Sequence, residues 1–291
     1  MSKIALGTVQ FGIDYGINSK PGQVTSVEVK RILDYAQSSD IDILDTAPAY
    51  GDSEKQLGNY DLSNFNLTSK TRHFQGVNIG ENELNLFRQD FDLTLKHLKQ
   101  EKIYGLLVHN SKDLLKPGSD KLFGELQELK LNGKIHKIGV SVYDPIELDS
   151  VLSRFDLDIV QLPFNILDRR MLESGMLNSL YKKNIEIHSR SVFLQGLLLA
   201  EPDLQLEQFN QWKDLWKLWQ EWLEDNKISA LEATIRYVLG TEEISRVLVG
   251  VDSEIQLKEI IAASYGDLPN LPSSLTTDDT NLLNPSNWKN L

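Results

Sequence analysis

Short runs of apolar residues recur along the chain, and stretches with apolar residues at helical spacing separate them. The first run begins at Ile4, and after a loop the region from about Val27 to Ser38 repeats apolar residues every three or four positions. A period near 3.6 indicates an amphipathic helix, for which Thr25 or Ser26 provides the N-cap. The pattern therefore predicts a strand followed by a helix.

This strand–helix unit recurs eight times. The predicted strands are residues 4–12, 41–44, 65–70, 103–109, 135–140, 158–163, 185–188 and 246–250. Further helices are predicted at about residues 53–57, 81–98, 121–132, 175–183 and 253–263. Connections long enough to contain a helix require parallel strands, and eight units favour a closed barrel over an open sheet. The predicted fold class is therefore α/β, a single (β/α)8 TIM barrel.

Two regions depart from the regular alternation. The segment between strands seven and eight is enlarged and carries Trp212, Trp216, Trp219 and Trp222. The first three share one helical face, which indicates packing against a core rather than a ligand platform. Residues 266–291 form a C-terminal tail, rich in polar residues and proline, with little sign of a helix or strand. Because no linker divides the chain, residues 1–291 are predicted to form one barrel domain.

Composition narrows the class of protein. With 291 residues, of which 41% are hydrophobic and 25% charged, the chain can bury a sizeable core. It lacks a run near the roughly 20 apolar residues of a membrane span, and its start lacks a signal-peptide pattern, so we expect a cytoplasmic protein without a membrane partner. A formal charge of -12 argues against nucleic-acid binding, which needs a basic face. The oligomeric state is left open.

The chain contains no cysteine. Disulfides, a thiol nucleophile and thiolate metal sites are therefore excluded. The five histidines show neither HxxxH nor HxH spacing, so no metal site is predicted.

Polar residues stand at the carboxyl ends of five consecutive predicted strands. They are Asp45, Lys70, His109, Ser141 and Gln161, and Tyr50 lies in the loop after Asp45. Each has an ordinary structural explanation when taken alone, such as a helix cap, a packed tyrosine or a solvated lysine. In a parallel barrel, however, these strand ends share one mouth, where α/β barrels carry their chemistry.

The residue types at this mouth suit one kind of reaction. A tyrosine with a pKa near 10 exchanges protons poorly at neutral pH, but a neighbouring ammonium such as Lys70 lowers that pKa. Asp45 can hold Lys70 charged, and His109 can donate a hydrogen bond to an oxygen that gains negative charge. Such a site can give a proton to a carbonyl oxygen while hydride attacks the carbon. Because no side chain supplies hydride, a cofactor is required.

At these positions the sequence resembles the aldo-keto reductases over nearly its whole length. The matching stretches are residues 7–12, 45–51, 53–54, 57–58, 133–141, 161–165, 195–198 and 249–250, with Lys70 and His109. The resemblance implies a (β/α)8 barrel that binds NADP(H), or less often NAD(H). It also implies that Tyr50 is the general acid and base, within a catalytic set of Asp45, Tyr50, Lys70 and His109.

The resemblance further implies which residues contact the cofactor. They are Gly7, Thr8, Ser141, Gln161, Arg190, Ser191, Gly250, Asp252, Ser253 and Gln256. Among these, Ser141 and Gln161 match the positions at which the family holds the nicotinamide carboxamide. Substrate selectivity is expected from the loops after Gly12, Gln161 and Ser191.

The sequence departs from the family pattern at several positions. Val142 stands where members often have asparagine, and Arg190 stands where many stack a tyrosine on the nicotinamide ring. A guanidinium can also stack, or meet a phosphate or an acidic substrate, or form a surface ion pair. The long substrate-covering tail of some members is expected to be reduced or absent. His188 is predicted to point inward without a catalytic role.

The turn after strand eight carries Asp252 where members commonly have lysine or arginine for the adenosine 2′-phosphate. A carboxylate would repel that phosphate but could accept a hydrogen bond from a free ribose hydroxyl, which favours NAD(H). Ser253, Gln256 and Lys258 could still meet a phosphate, and Asp252 could instead cap the final helix.

We therefore predict an NAD(P)H-dependent reductase of an aldehyde or ketone, with sugar-like carbonyls among the candidates. One alternative is a lyase or isomerase that forms a Schiff base at Lys70. Another is a nucleotide-sensing interaction protein with weak redox activity, since a fold does not fix a function.

Overall fold

The computed structural model describes residues 2–16, 22–201 and 207–290. Eight parallel strands form a closed barrel in which β8 pairs with β1. The strands are β1 (Ile4–Gly7), β2 (Ile43–Asp45), β3 (Asn66–Lys70), β4 (Ile103–Val108), β5 (Ile135–Ser141), β6 (Ile159–Pro163), β7 (Glu186–Arg190) and β8 (Arg246–Gly250). The predicted barrel is confirmed. Its register places Gly7 beside Asp45 and Ser141 beside Gln161.

Helices alternate with the strands. They are α1 (Ser26–Ser38), α2 (Ser53–Leu57), α3 (Glu81–Leu98), α4 (Ser119–Leu131), α5 (Pro145–Leu152), α6 (Arg170–Glu173), α7 (Met176–Lys182), α8 (Lys213–Asn226), α9 (Ala230–Gly240), α10 (Glu254–Ala263) and α11 (Thr280–Leu283). Within the described ranges, no helix combines the length and the apolar character needed to cross a membrane.

Local sequence signals explain where several helices begin. The Thr25 side chain accepts a hydrogen bond from the Glu28 amide at the start of α1, as predicted. At the start of α5, the Asp144 carboxylate accepts one from Glu147 N at 2.8 Å, and Pro145 fills the first turn. Asp52, at the N-cap position of α2, makes no side-chain capping bond.

The first strand is shorter than predicted. It ends at Gly7 rather than Gly12, because residues Val9–Phe11 wind into a 3-10 turn. The amide and the hydroxyl of Thr8 both donate to the Asp45 carbonyl, each at 3.0 Å, and these bonds fasten the ends of β1 and β2 together. The chain then leaves the sheet at the mouth of the barrel.

A polar cluster closes the opposite end of the barrel. The Tyr104 hydroxyl donates to Glu186 Oε1 at 2.8 Å, and Lys137 Nζ lies 3.1 Å from the same oxygen. His188 is fully buried, with Nε2 3.5 Å from Glu186 Oε2, so it points inward as predicted. Burial acts to raise the pKa of Glu186, but these neighbours outweigh it and lower the pKa to about 2.

A second hydrophobic core lies beside the barrel, in the enlarged region between β7 and β8 together with the C-terminal tail. This satellite core contains Phe209, Trp216, Trp219, Trp222 and Trp288. The indole rings of Trp219 and Trp222 stack with centroids 5.8 Å apart. The tryptophans therefore pack in a core, as predicted, except that Trp212 lies partly exposed at its edge.

The expectation that the tail has little regular structure is wrong. It forms α11 and a 3-10 segment at Pro285–Asn290. Leu275, Leu282 and Leu283 are buried in the satellite core, and the Trp212 indole N–H donates to Asp279 Oδ2 at 2.9 Å. The tail is ordered by these few apolar anchors, which its polar composition obscures in the sequence.

Candidate active site

The loop after β2 is built by close backbone contacts. Ser53 Oγ, at the start of α2, donates to the Thr8 carbonyl at 2.8 Å. Gly12 faces the same loop, and a Cβ added there would lie 1.7 Å from the Tyr50 carbonyl oxygen. Gly51 has a φ of 57° and packs against Gly12, so glycine is required at both positions. These contacts fix the backbone that carries Tyr50.

A buried carboxylate anchors α2 from behind. Glu54 Oε1 accepts hydrogen bonds from Ser69 Oγ at 2.7 Å and from Thr94 Oγ1 at 3.1 Å. Burial raises the pKa of Glu54, against the effect of these hydrogen bonds. Ser69 precedes Lys70 in β3, so Glu54 links the helix after Tyr50 to the strand that carries Lys70.

Asp45 and Lys70 form an ion pair inside the barrel mouth. Lys70 Nζ lies 2.5 Å from Asp45 Oδ2, and both side chains are almost fully buried. Asp45 Oδ1 accepts from Thr68 Oγ1 and Gln161 Nε2, each at 2.9 Å. Burial acts to lower the pKa of Lys70, but attraction to Asp45 and Tyr50 outweighs it and the net pKa is raised. Lys70 is therefore held as an ammonium.

The Tyr50 ring lies next to this ammonium, with Lys70 Nζ 5.0 Å from the ring centroid. Burial raises the pKa of Tyr50, and the Lys70 charge lowers it by a smaller amount. The expectation that Lys70 brings the pKa below its ordinary value is therefore wrong, because removal of the phenol from water has the larger effect. The phenol stays protonated at neutral pH.

His109 completes the group. Its ring meets the Tyr50 ring edge-on, with centroids 6.1 Å apart, and the His73 ring with centroids 4.4 Å apart. Burial and the positive charge of Lys70 lower the pKa of His109 to about 2, so the imidazole is neutral. Among the described residues, His109 Nδ1 has no hydrogen-bond partner. A neutral imidazole can donate one hydrogen bond to a bound oxygen.

Tyr50 and His109 open into a cavity of about 820 Å³, within the roughly 300–1,000 Å³ typical of ligand sites. The predicted residues that line it are Gly7, Thr8, Asp45, Tyr50, His109, Ser141, Gln161, Arg190, Ser191, Gly250, Asp252 and Gln256. Two predicted residues are not among the lining residues. Lys70 is buried behind Asp45, and Ser253 caps α10 with its hydroxyl.

Ser141 and Gln161 stand side by side at the ends of β5 and β6. Because Gln161 Nε2 donates to Asp45, its amide oxygen is left to accept a further hydrogen bond. Val142 offers no side-chain polar group and is fully buried. These positions can hold an amide group through Ser141 and Gln161.

The Arg190 side chain forms part of the cavity wall. Its guanidinium lies 4.2 Å from the centroid of the Tyr143 ring and donates to the Val142 carbonyl at 3.0 Å. Among the described residues, the guanidinium contacts the Tyr143 ring, the Val142 carbonyl and Ser191 Oγ, none of which is a carboxylate, and this argues against a surface ion pair. A planar cation is thus available on the cavity surface.

Several cavity residues were not predicted from the sequence. Gln195 Nε2 donates to the Tyr15 hydroxyl at 2.9 Å and so connects the loops after β7 and β1. Leu194 and Gln195 have positive φ values of 47° and 54°, which explains why the local pattern predicts no regular element there. Other unpredicted lining residues include Glu259, Gln10, His73, Asn110, Tyr143, Pro285 and Ser286. The last two come from the tail, which therefore contributes to the cavity wall.

The cavity extends to the start of α10. A Cβ at Gly250 would lie 2.6 Å from the Gln10 amide nitrogen, so a larger residue here would require the Gln10 side chain to move. Gln10 Oε1 is buried without a partner among the described residues. Ser253 Oγ accepts from Gln256 N at 3.2 Å, so Ser253 rather than Asp252 caps the helix. The cavity wall thus includes Tyr50, Gly7, Gly250 and residues at the N-terminus of α10.

The described residues contain no group of three or more His, Cys, Asp or Glu side chains suited to hold a metal ion. The side chains of this site can perform proton transfer, at Tyr50, and can stabilise negative charge, through His109 and Lys70.

Known proteins resemble the chain in sequence and in fold. Over 164 residues it is 26% identical to the NADH-specific methylglyoxal reductase of Escherichia coli (strain K12), a stretch covering 52% of this chain and 50% of that protein. The chain thus spans about half the length of that relative. An aldo-keto reductase from Bacillus halodurans in its holo form has a TM-score of 0.71 at 20% identity, over 94% of this chain and 89% of that one.

The glycerol dehydrogenase from Gluconobacter oxydans gives a TM-score of 0.68 at 21% identity, over 93% of this chain and 88% of that chain. These structural likenesses concern the fold. The family model described as Aldo/keto reductase family matches residues 3–270, a range that contains all the barrel strands and α10. The resemblance predicted from the sequence is therefore confirmed, and the chain belongs to the aldo/keto reductase family.

Proposed function

We propose that the protein reduces an aldehyde or ketone to the alcohol with NAD(P)H, and that Tyr50 donates the proton. The observation that carries the proposal is the buried Lys70–Asp45 ion pair beside a protonated tyrosine at the mouth of a cavity. A buried pair of this kind contributes little to net stability, so its place beside Tyr50 points to chemistry.

In this mechanism the carbonyl oxygen lies between Tyr50 and His109. The neutral His109 donates a hydrogen bond to the oxygen, and the Tyr50 hydroxyl gives it a proton as the carbon gains hydride. The Lys70 ammonium stabilises the phenolate that remains, while Asp45 keeps Lys70 oriented. In the oxidation direction, the same phenolate takes the proton back from the alcohol.

The cavity suits a nicotinamide dinucleotide, which supplies the hydride when bound. Ser141 and Gln161 present polar groups for the carboxamide, and the planar Arg190 guanidinium can lie against the ring. Gly7 and Gly250 present backbone without a side chain to the cavity. Gln10 Oε1, Ser191, Asp252 and Gln256 offer hydrogen-bonding groups along the remaining length.

We also propose that NADH is used at least as well as NADPH. Asp252 and Glu259 line the far end of the cavity, where a 2′-phosphate would meet like charge. The Escherichia coli relative is named an NADH-specific methylglyoxal reductase, which makes small 2-oxoaldehydes the first substrates to test.

The Schiff-base alternative requires a neutral, accessible lysine. Lys70 Nζ instead donates to Asp45 and to the Thr46 carbonyl, and its pKa is raised. The structure therefore argues against attack by Lys70 on a carbonyl. A measurement of turnover distinguishes a reductase from the nucleotide-sensing alternative.

A panel of aldehydes, ketones and sugar-like carbonyls, assayed by oxidation of NADH and of NADPH, tests the proposal. We expect turnover of at least one small carbonyl, with NADH performing as well as NADPH or better. Tight binding of either nucleotide without oxidation by any member of a broad panel would favour the sensing protein.

A further inference from the structure

The end of the cavity at α10 is acidic. Asp252 and Glu259 line it, and Glu254 begins the helix. The nearby Lys258 is already engaged, because its Nζ lies 2.8 Å from Glu254 Oε1 and 5.0 Å from the centroid of the Tyr35 ring. Among the described lining residues the only lysine or arginine is Arg190, which lies beside Tyr143 instead.

The N-terminus of α10 already holds an anion from elsewhere in the chain. The Glu254 amide donates to Glu28 Oε1 at 2.7 Å, across 226 residues of sequence. The Gln256 amide donates to Ser253 Oγ at 3.2 Å, and the Asp252 amide to Gln256 Oε1 at 2.7 Å. Helix N-termini attract anions through their unpaired amides and positive dipole ends, and here a carboxylate takes that place.

Glu28 is fixed in this position from its own side. It lies in the first turn of α1, where its amide donates to Thr25 Oγ1. Its second carboxylate oxygen lies 3.2 Å from Arg31 Nη1, and only 20% of the side chain is exposed. Because α1 packs against α10, the carboxylate stands at the positive ends of two helices at once. An incoming anion would have to displace it or lie beside it.

The direction of a dinucleotide in the cavity follows from the proposed chemistry. Hydride must leave near the carbonyl that Tyr50 protonates, so the nicotinamide lies at that end. The rest of an extended dinucleotide then has to run toward α10, where the cavity continues past Gly250. The adenosine ribose therefore approaches the amides that Glu28 and its neighbours occupy.

Resting on the proposed nicotinamide binding, we propose that Glu28 is a specificity-determining residue that disfavours a 2′-phosphate on the adenosine ribose. It is a positioning residue, because it acts through the Glu254 amide rather than as a described lining residue of the cavity. A 2′-phosphate carries close to two negative charges and needs the amide that Glu28 fills. A free ribose hydroxyl carries no charge and can donate to a carboxylate.

Calorimetric titration of the full-length protein with NADH and with NADPH tests this assignment. AMP and 2′,5′-ADP, which differ only by the 2′-phosphate, serve as shorter probes that do not reach Tyr50. The unaltered protein is expected to bind NADH and AMP more tightly than their 2′-phosphorylated counterparts. In Glu28→Ala the ratio of the two dissociation constants should move toward the phosphorylated ligand by about tenfold, the scale of one charge-assisted hydrogen bond.

Two further variants make the result specific. Glu28→Gln keeps the side-chain size and an acceptor for the Glu254 amide, and should move the ratio in the same direction by a smaller factor. Asp34→Asn removes one charge from the same helix, at an exposed carboxylate paired with Lys30, and should leave the ratio unchanged. A purely structural role for Glu28 would lower the melting temperature and weaken all four ligands equally.

An unchanged ratio in both Glu28 variants, with NADH still bound by the unaltered protein, would overturn the role of Glu28 and leave the proposed reductase intact. An equal change in Asp34→Asn would also overturn it, because net charge would then be the cause. Failure of the unaltered protein to bind any of the four ligands would overturn both proposals.

Discussion

The two ends of the cavity differ in how their charges are placed. At one end the Lys70 ammonium and the Asp45 carboxylate form a buried ion pair. At the other end the Asp252 and Glu259 carboxylates lie on a partly exposed surface. Charges are strong where water is excluded and are screened where it is not. The first end is thus suited to lowering a reaction barrier, and the second to small preferences between ligands. Substitutions should show this difference in the size of their effects.

The largest expected effect is at the phenol. Tyr50→Phe should lower kcat for carbonyl reduction by about 10²–10⁴-fold, since the proton donor is lost, while the dissociation constant for NADH changes by no more than a few-fold. Steady-state kinetics and calorimetry measure the two quantities.

The matched control is Tyr143→Phe. This substitution keeps the aromatic ring that packs against the Arg190 guanidinium and removes another tyrosine hydroxyl from the same cavity. It should retain most activity. A fully active Tyr50→Phe enzyme would refute the assignment of the proton donor.

The next effect is at the buried pair. Lys70→Met leaves the Asp45 carboxylate buried without its cation, which should lower the free energy of unfolding by about 3–5 kcal/mol and nearly silence catalysis. Denaturant titration measures the first effect and turnover the second.

Adding Asp45→Asn to Lys70→Met removes the uncompensated charge. We expect stability to recover in this double variant while activity stays lost. Recovery of activity together with stability would mean that the pair is structural and not part of proton transfer.

A smaller effect is expected at the acidic end. Asp252→Arg should shift the ratio of kcat/KM values toward NADPH by about 1–2 kcal/mol, the range of a partly exposed charge-assisted bond. A ratio that does not move would show that Asp252 does not act on the 2′ position. A strong NADPH preference in the unaltered enzyme would contradict the selectivity assigned to this end of the cavity.

The smallest effect concerns pH. The pKa of His109 lies at about 2 and that of Tyr50 is raised, so neither group should change its protonation between pH 5 and 9. The kcat for reduction at saturating substrates should vary by less than about threefold in this range, and should fall at higher pH as Tyr50 loses its proton. An inflection near pH 6.5 would show that His109 titrates as an ordinary histidine.

The sequence is most informative at the carboxyl ends of the strands, where a polar residue follows an apolar run. Asp45, Lys70 and His109 each stand at or directly after the end of a strand. Because eight parallel strands close into a barrel, their carboxyl ends meet at one mouth, and the strand count is enough to predict this. The barrel itself and the family resemblance are confirmed. The assignment of roles to these residues stays a prediction that the substitutions above test.

Other features depend on contacts that no local pattern records. The pKa of Tyr50 is raised because the folded chain surrounds the ring, whereas the sequence shows only the lysine that would lower it. Glu28 lies far from α10 in the chain, and only the packing of α1 against α10 brings the two together. The tail was misjudged because four buried apolar side chains order a segment that is polar on average.

All five tryptophans of the chain belong to the satellite core or pack at its edge, and none stands in the barrel strands. Intrinsic fluorescence therefore observes this one region, while far-ultraviolet circular dichroism is dominated by the barrel. Superimposable melting curves from the two signals would mean that both regions unfold together. Because Pro285 and Ser286 line the cavity just before Trp288, we expect the emission to change when a molecule binds in the cavity.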